Sequence, residues 1–163
     1  MTTNRWLSLL ITASVGCSPT LPASVSIDTA FSQVQTAAIE DALDHWCRAV
    51  DFCPVVVPWN GGEAQIYADY NFRRLGLSPA SQGGNNGDDI YLDMSSPWTP
   101  HTFWLGVAHE IGHWGTRRHV QDGWQDSVMA PLYAYNLPLC LDQKSVDLWC
   151  QQNACMAPKS TCD

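Results

Sequence analysis

Apolar residues recur at helical spacing from Phe31 through Val34, Ala38, Ala42, Leu43, Trp46 and Val50. Steps of three and four keep such residues on one face, so the pattern predicts a long amphipathic helix over 33–49. Ser32 and Gln35 stand at its start with the spacing of a capping box. Ahead of it, VSI at 25–27 reads as a first strand. Three valines between Pro54 and Pro58 read as a short buried strand that the prolines bound. Gly61 and Gly62 mark a turn, and 64–70 alternates enough for another strand. SPASQGGNNGDD, over 78–89, is a loop by its Gly, Ser, Asn and Asp content. Residues 90–94 form the next expected strand, which ends before Pro97. Thr99 and Pro100 then offer an N-cap and a first-turn proline. The helix they start runs through Val107, Ala108 and Ile111 to about Trp114. Residues 115–138 show no period and read as ordered loop. A last helix is expected over 142–151, with Val146 and Trp149 on one side.

A chain of 163 residues suits one domain rather than two. Its 45% apolar and 15% charged residues exclude a disordered segment. The formal charge of −8 makes nucleic acid and anionic membrane surfaces poor partners. Arg73 with Arg74, and Arg117 with Arg118, are too few to reverse that.

The first residues read differently from the rest. MTTNR is short and basic, and WLSLLITASV is apolar but too short to span a membrane. Gly16 before Cys17 resembles a lipoprotein signal, although Ser14 stands where such signals usually carry Leu. The expectation is a signal segment over 1–16, a tether over 17–24 and a folded domain over 25–163. Plain secretory cleavage, here or nearer Ala23, is the alternative. The location expected is the cell envelope or outside the cell. Any membrane attachment would run through a lipid on Cys17. Six cysteines remain: Cys47, Cys53, Cys140, Cys150, Cys155 and Cys162. An even number in an exported domain suggests three disulfides. Clustering favours Cys47 with Cys53 as a local clip, leaving four to staple the C-terminal segment to itself. No CxxC pair points to a structural zinc on sulfur.

The chemistry gathers in HEIGHWGTRRH, which begins at His109. His109 and His113 lie one helical turn apart on one face, so both rings can reach one metal. Glu110 points about 100° away from His109, into the space where it can take a proton from water. Zinc needs a third protein ligand and an open position. His119, six residues beyond His113 and past Gly115, can supply that ligand if the chain turns back.

HEIGHWGTRRH resembles the zinc site of the metzincin peptidases, and SVMAP at 127–131 resembles the Met-turn of the same clan. SVMAPLY is most similar to the matrixin branch. The resemblance implies an α+β zincin fold: a small, mixed, twisted sheet with a long N-terminal helix, a site helix and a C-terminal helix. It implies zinc on His109, His113 and His119, with Glu110 as the catalytic base. It also places Met129 beneath the histidines and Pro131 to Tyr133 along the S1′ pocket. Its substrate would be an extended peptide lying against strand 90–93 as the sheet edge.

One position departs from the family pattern. The family has Gly three residues after its second histidine, and this chain has Thr116, with Gly115 one earlier. A β-branched residue adopts a left-handed turn angle poorly. Either the turn shifts by one residue or His119 approaches the metal differently, and Asp122 and Asp126 stand as reserve ligands. His45 and His101 lack a partner pattern and read as surface or core histidines. Asn85, Asn86, Asp88 and Asp89 offer oxygen ligands that calcium could take, against the plainer reading of a solvated turn. Tyr133 or Tyr135 could donate at the site, against plain aromatic packing. The function expected is zinc-dependent peptide hydrolysis by a monomer. The alternatives are hydrolysis of a non-protein amide, such as a cell-wall peptide, and an inert peptide-binding module.

Overall fold

In the computed structural model the described residues are 21–70, 82–121, 126–131 and 136–162. They form an α+β domain in which three helices flank one mixed sheet. Strand β1 spans Ser24–Ile27, helix α1 Gln33–Val50, β2 Val55–Val57 and β3 Ala64–Asp69. Strands β4 at Gly83–Asn86 and β5 at Asp89–Asp93 follow. Helices α2 at Pro100–Gly115 and α3 at Gln143–Cys150 complete the order. This is the zincin-like arrangement that the sequence implies. The segments 1–16 and 71–81, with Cys17, Asp122, Tyr133 and Tyr135, lie outside the described residues.

Both long helices begin where their caps predict. Ser32 and Gln35 close a capping box on α1, and Thr99 and Thr102 close one on α2 with Pro100 in its first turn. Asp142 caps α3 through the Ser145 N–H.

The sheet runs β2-β1-β3-β5-β4. The first three pairings are parallel and β4 returns antiparallel to β5. Parallel neighbours need a crossover, and α1 provides it between β1 and β2. Val25, Ile66, Ile90 and Leu92 are fully buried and join α1 and α2 in one core.

Three expectations about strands need correction. The segment read as a loop over 78–89 contains β4, because pairing with β5 overrides the poor strand propensity of Gly-Gly-Asn-Asn. Gly87 makes the tight return possible with φ of 71°, in the left-handed region. Consequently β5 lies inside the sheet and β4 is the edge near α2, not strand 90–93. The valine strand is the opposite edge, with Val55 63% and Val56 44% exposed rather than buried. Its flanking prolines suit an edge, where a missing N–H costs little.

Aromatic rings lock the helices together. Trp46 of α1 donates from Nε1 to the Ala108 carbonyl of α2 at 2.9 Å, and its ring lies 4.6 Å from that of Trp149 on α3. A Cβ at Gly115 would overlap the Trp149 indole, so this glycine permits the close approach of α3. Gly115→Ala is therefore expected to lower stability by about 1–3 kcal/mol, the usual cost of overpacking. Denaturant unfolding measures this, and unchanged stability would show that Trp149 can yield.

Disulfides join Cys47 to Cys53, Cys140 to Cys162 and Cys150 to Cys155. The first is the predicted clip at the end of α1. The other two tie the C-terminal segment to itself. Lys159 N–H also donates to the Ala49 carbonyl, and Thr161 Oγ1 lies 2.7 Å from His45 Nδ1, so the tail is fastened to α1.

Candidate metal centre

Helix α2 carries His109, Glu110 and His113 on its inner side, among residues that are almost all buried. Beyond Gly115 the chain leaves the helix through Thr116, whose φ of −150° and ψ of 136° are extended. No left-handed angle is needed there, so threonine fits without strain. That resolves the departure at this position. Gly115 serves the Trp149 contact, and the chain turns back through ordinary backbone.

That exit also holds a ligand candidate. Thr116 is fully buried, and its carbonyl lies 2.9 Å from His113 Nδ1. The Val128 carbonyl lies 2.7 Å from His109 Nδ1. A carbonyl only accepts, so both rings must carry their proton on Nδ1 and donate it. In the neutral ring this leaves a lone pair on each Nε2.

Those lone pairs converge. Nε2 of His113 lies 3.1 Å from Nε2 of His109, and Nε2 of His119 lies 3.3 Å from it. One ligand atom from each ring lies within 4.8 Å of the others. Burial lowers the pKa of all three and takes His109 down to about 3. The rings are thus neutral near pH 7, and two of them face each other as acceptors. An acceptor pair at this distance calls for a cation between the nitrogens. Zinc–nitrogen bonds of 2.0–2.1 Å at a tetrahedral angle would separate two nitrogens by about 3.3–3.4 Å. The donor set therefore fits zinc.

The predicted residues fall unevenly around this point. Met129 is fully buried behind α2, where a Cβ on Gly112 would overlap its sulfur. Pro131 is exposed, while Tyr133, the other pocket residue expected, lies outside the described residues. Asp126 is exposed and is not among the clustered ligands, and Asp122 is not among the described residues. His45 is engaged with Thr161, and His101 is half-buried on the first turn of α2. In the hairpin, Asp89 Oδ1 accepts from the Gln65 N–H, and the Asp88 carbonyl accepts from Trp114 Nε1. No cluster of three His, Cys, Asp or Glu ligands forms there among the described residues, so calcium gains no support.

The second layer of the site is not visible in the motif. Asp142 and Ser145 of α3 hold the 127–129 turn. Asp142 Oδ2 accepts from the Val128 N–H at 2.8 Å, and Ser145 Oγ accepts from the Met129 N–H at 3.1 Å. Val128 thus links the start of α3 to His109. The Met129 carbonyl accepts from Val120 N–H, which steadies the segment bearing His119. In the sequence Asp142 is only the first residue of the expected last helix, and nothing local marks this arrangement.

Glu110 is 7% exposed, and burial pushes its carboxyl up to about 8. Its side chain lies against Gly83 of β4.

No family model matches the chain, and no curated protein matches it. The functional reading therefore rests on the site itself: a buried three-histidine cluster of metallopeptidase-like form.

In the metal-free protein the histidines and Glu110 should titrate in opposed directions. His109 has a folded pKa of about 3 against 6.5 unfolded, so its contribution fades as pH falls below 6.5. Glu110 has about 8 against 4.5, so its contribution fades as pH rises above 4.5. The two slopes oppose each other between 4.5 and 6.5. Below that window the histidine slope remains, and above it the glutamate slope continues to about 8. Each approaches about 1.4 kcal/mol per pH unit when one proton separates the states. Denaturant titrations of chelator-treated protein across pH should show stability falling on the acid side, where His113 and His119 add to the His109 slope, and falling again on the alkaline side. Glu110→Gln should flatten the alkaline limb, and an unchanged limb would remove Glu110 as its source.

Proposed function

We propose that the chain is a zinc-dependent endopeptidase of the metzincin type, nearest the matrixin branch. The observation that carries this reading is the convergence of neutral histidine lone pairs at His109, His113 and His119. Bound there, zinc would polarise a scissile carbonyl and lower the pKa of water. Glu110 accepts the proton of the attacking water and returns it to the leaving nitrogen. Its burial favours the protonated form, and a cation beside it favours the carboxylate it needs to be.

Among the described residues strand β4 is the sheet edge beside α2. Its backbone groups can pair with an extended substrate, which binds many sequences and leaves selection to side-chain pockets. Pro131 and Tyr133 are proposed to line the pocket next to the scissile bond, in keeping with the resemblance of SVMAPLY. An inert binding module would have no use for a buried carboxyl beside the histidines, so Glu110 favours an enzyme.

Three disulfides support an oxidising location. Export with lipid attachment at Cys17 is part of the same proposal. Membrane contact would then be through that anchor alone.

The test combines metal and activity. Protein purified without added metal should carry close to one zinc per chain and cleave casein or gelatin, with cleavage stopped by a chelator. Absence of zinc, with none taken up on titration, would sink the reading. Bound zinc without casein cleavage would move the substrate to a non-protein amide.

A further inference from the structure

We propose that Gly83 is a positioning residue, whose missing side chain is the seat of the Glu110 side chain. The inference rests on the reading of Glu110 as proton acceptor.

Glycine in a strand forfeits packing and costs backbone entropy, and it often marks a close approach. Gly83 does not need glycine for its backbone. Among the described glycines only Gly87 has a positive φ. Gly83 stands opposite the buried Leu92 of β5. A Cβ placed on it would lie 2.7 Å from Glu110 Oε1, 2.9 Å from Cγ and 3.1 Å from Cδ. The overlap involves most of the side chain and not its tip alone.

Neither partner can easily move apart. The hairpin is pinned to α2 by Trp114 Nε1, which donates to the Asp88 carbonyl at 2.7 Å. At the other end of β4, Asp93 N–H donates to the Gln82 carbonyl at 2.8 Å. Glu110 itself is buried on a helix whose neighbours are packed. Adding one methyl group at position 83 must therefore turn the Glu110 side chain. The space at Gly83 thus helps to set where the proton acceptor stands.

The experiment is Gly83→Ala, Glu110→Ala and the double variant, with melting temperature, zinc content and steady-state kinetics measured on each. Gly83→Ala should lower kcat by about 10²-fold, as a displacement near 1 Å can. KM should stay within about twofold and zinc stoichiometry should not change. The melting cycle should reverse sign. Gly83→Ala should lower Tm in the native background and raise it in Glu110→Ala, where the crowding is gone. Additive Tm shifts would overturn the proposal, as would coupled shifts with unchanged kcat. If the native protein cleaves no peptide, the peptidase reading fails alone, and the sign of the Tm cycle still decides whether Gly83 seats Glu110.

Discussion

Glu110→Gln is expected to keep zinc and the fold and to lose peptide hydrolysis by at least about 10²-fold. The substitution keeps the length and shape of the side chain, so the space at Gly83 still accepts it. It removes only the ability to take a proton. Three histidines hold the metal in this reading, so metal content should not change. A neutral amide also avoids burying a charge in a residue that is 7% exposed, so stability should hold or rise at alkaline pH. Zinc content and hydrolysis should be measured on one preparation. Full activity in this variant would overturn the mechanism and leave the metal centre standing.

The second large effect is expected from His119→Ala. His119 is the clustered ring that lies beyond α2, and its Nε2 stands 3.3 Å from that of His109. Loss of an outer-layer partner commonly costs ten- to a hundred-fold in metal affinity. Removing a ligand should cost on the order of 10²-fold or more, with activity falling alongside. Competition against a chelator of known affinity reads this directly. The fold should suffer less than in His109→Ala, because His109 also holds the Val128 carbonyl from a buried position. Unchanged zinc affinity in His119→Ala would overturn that assignment and leave Asp122 as the reserve ligand. Asp122→Ala should then release the metal.

What could be read from the sequence was local. Ser32 with Gln35, and Thr99 with Pro100, announce helix starts because cap chemistry spans only three residues. His109 and His113 announce a shared face because the helix fixes their geometry. The clip between Cys47 and Cys53 is short enough to favour itself. What could not be read depended on partners far along the chain. Gly-Gly-Asn-Asn becomes β4 only because β5 pairs with it, and that pairing moves the sheet edge away from β5. Three valines look buried until their place beyond β1 leaves two of them exposed. Thr116 looks unfavourable until the backbone proves extended. Asp142 and Ser145 look like an ordinary helix start, although they brace the turn that holds His109.

The position of β1 has a consequence for the order of assembly. It pairs on both sides with strands that follow it, β2 and β3, and both pairings are parallel. Neither side can close until α1 and the residues beyond it are available. Sheets built from such distant pairs fold on the scale of milliseconds to seconds rather than microseconds. The β4–β5 hairpin, by contrast, can zip within microseconds once its turn forms. A chain halted before β3 would hold β1 with an open flank, and exposed strand flanks invite pairing with other chains. Truncations ending between α1 and β3 should therefore yield aggregates rather than smaller folded units.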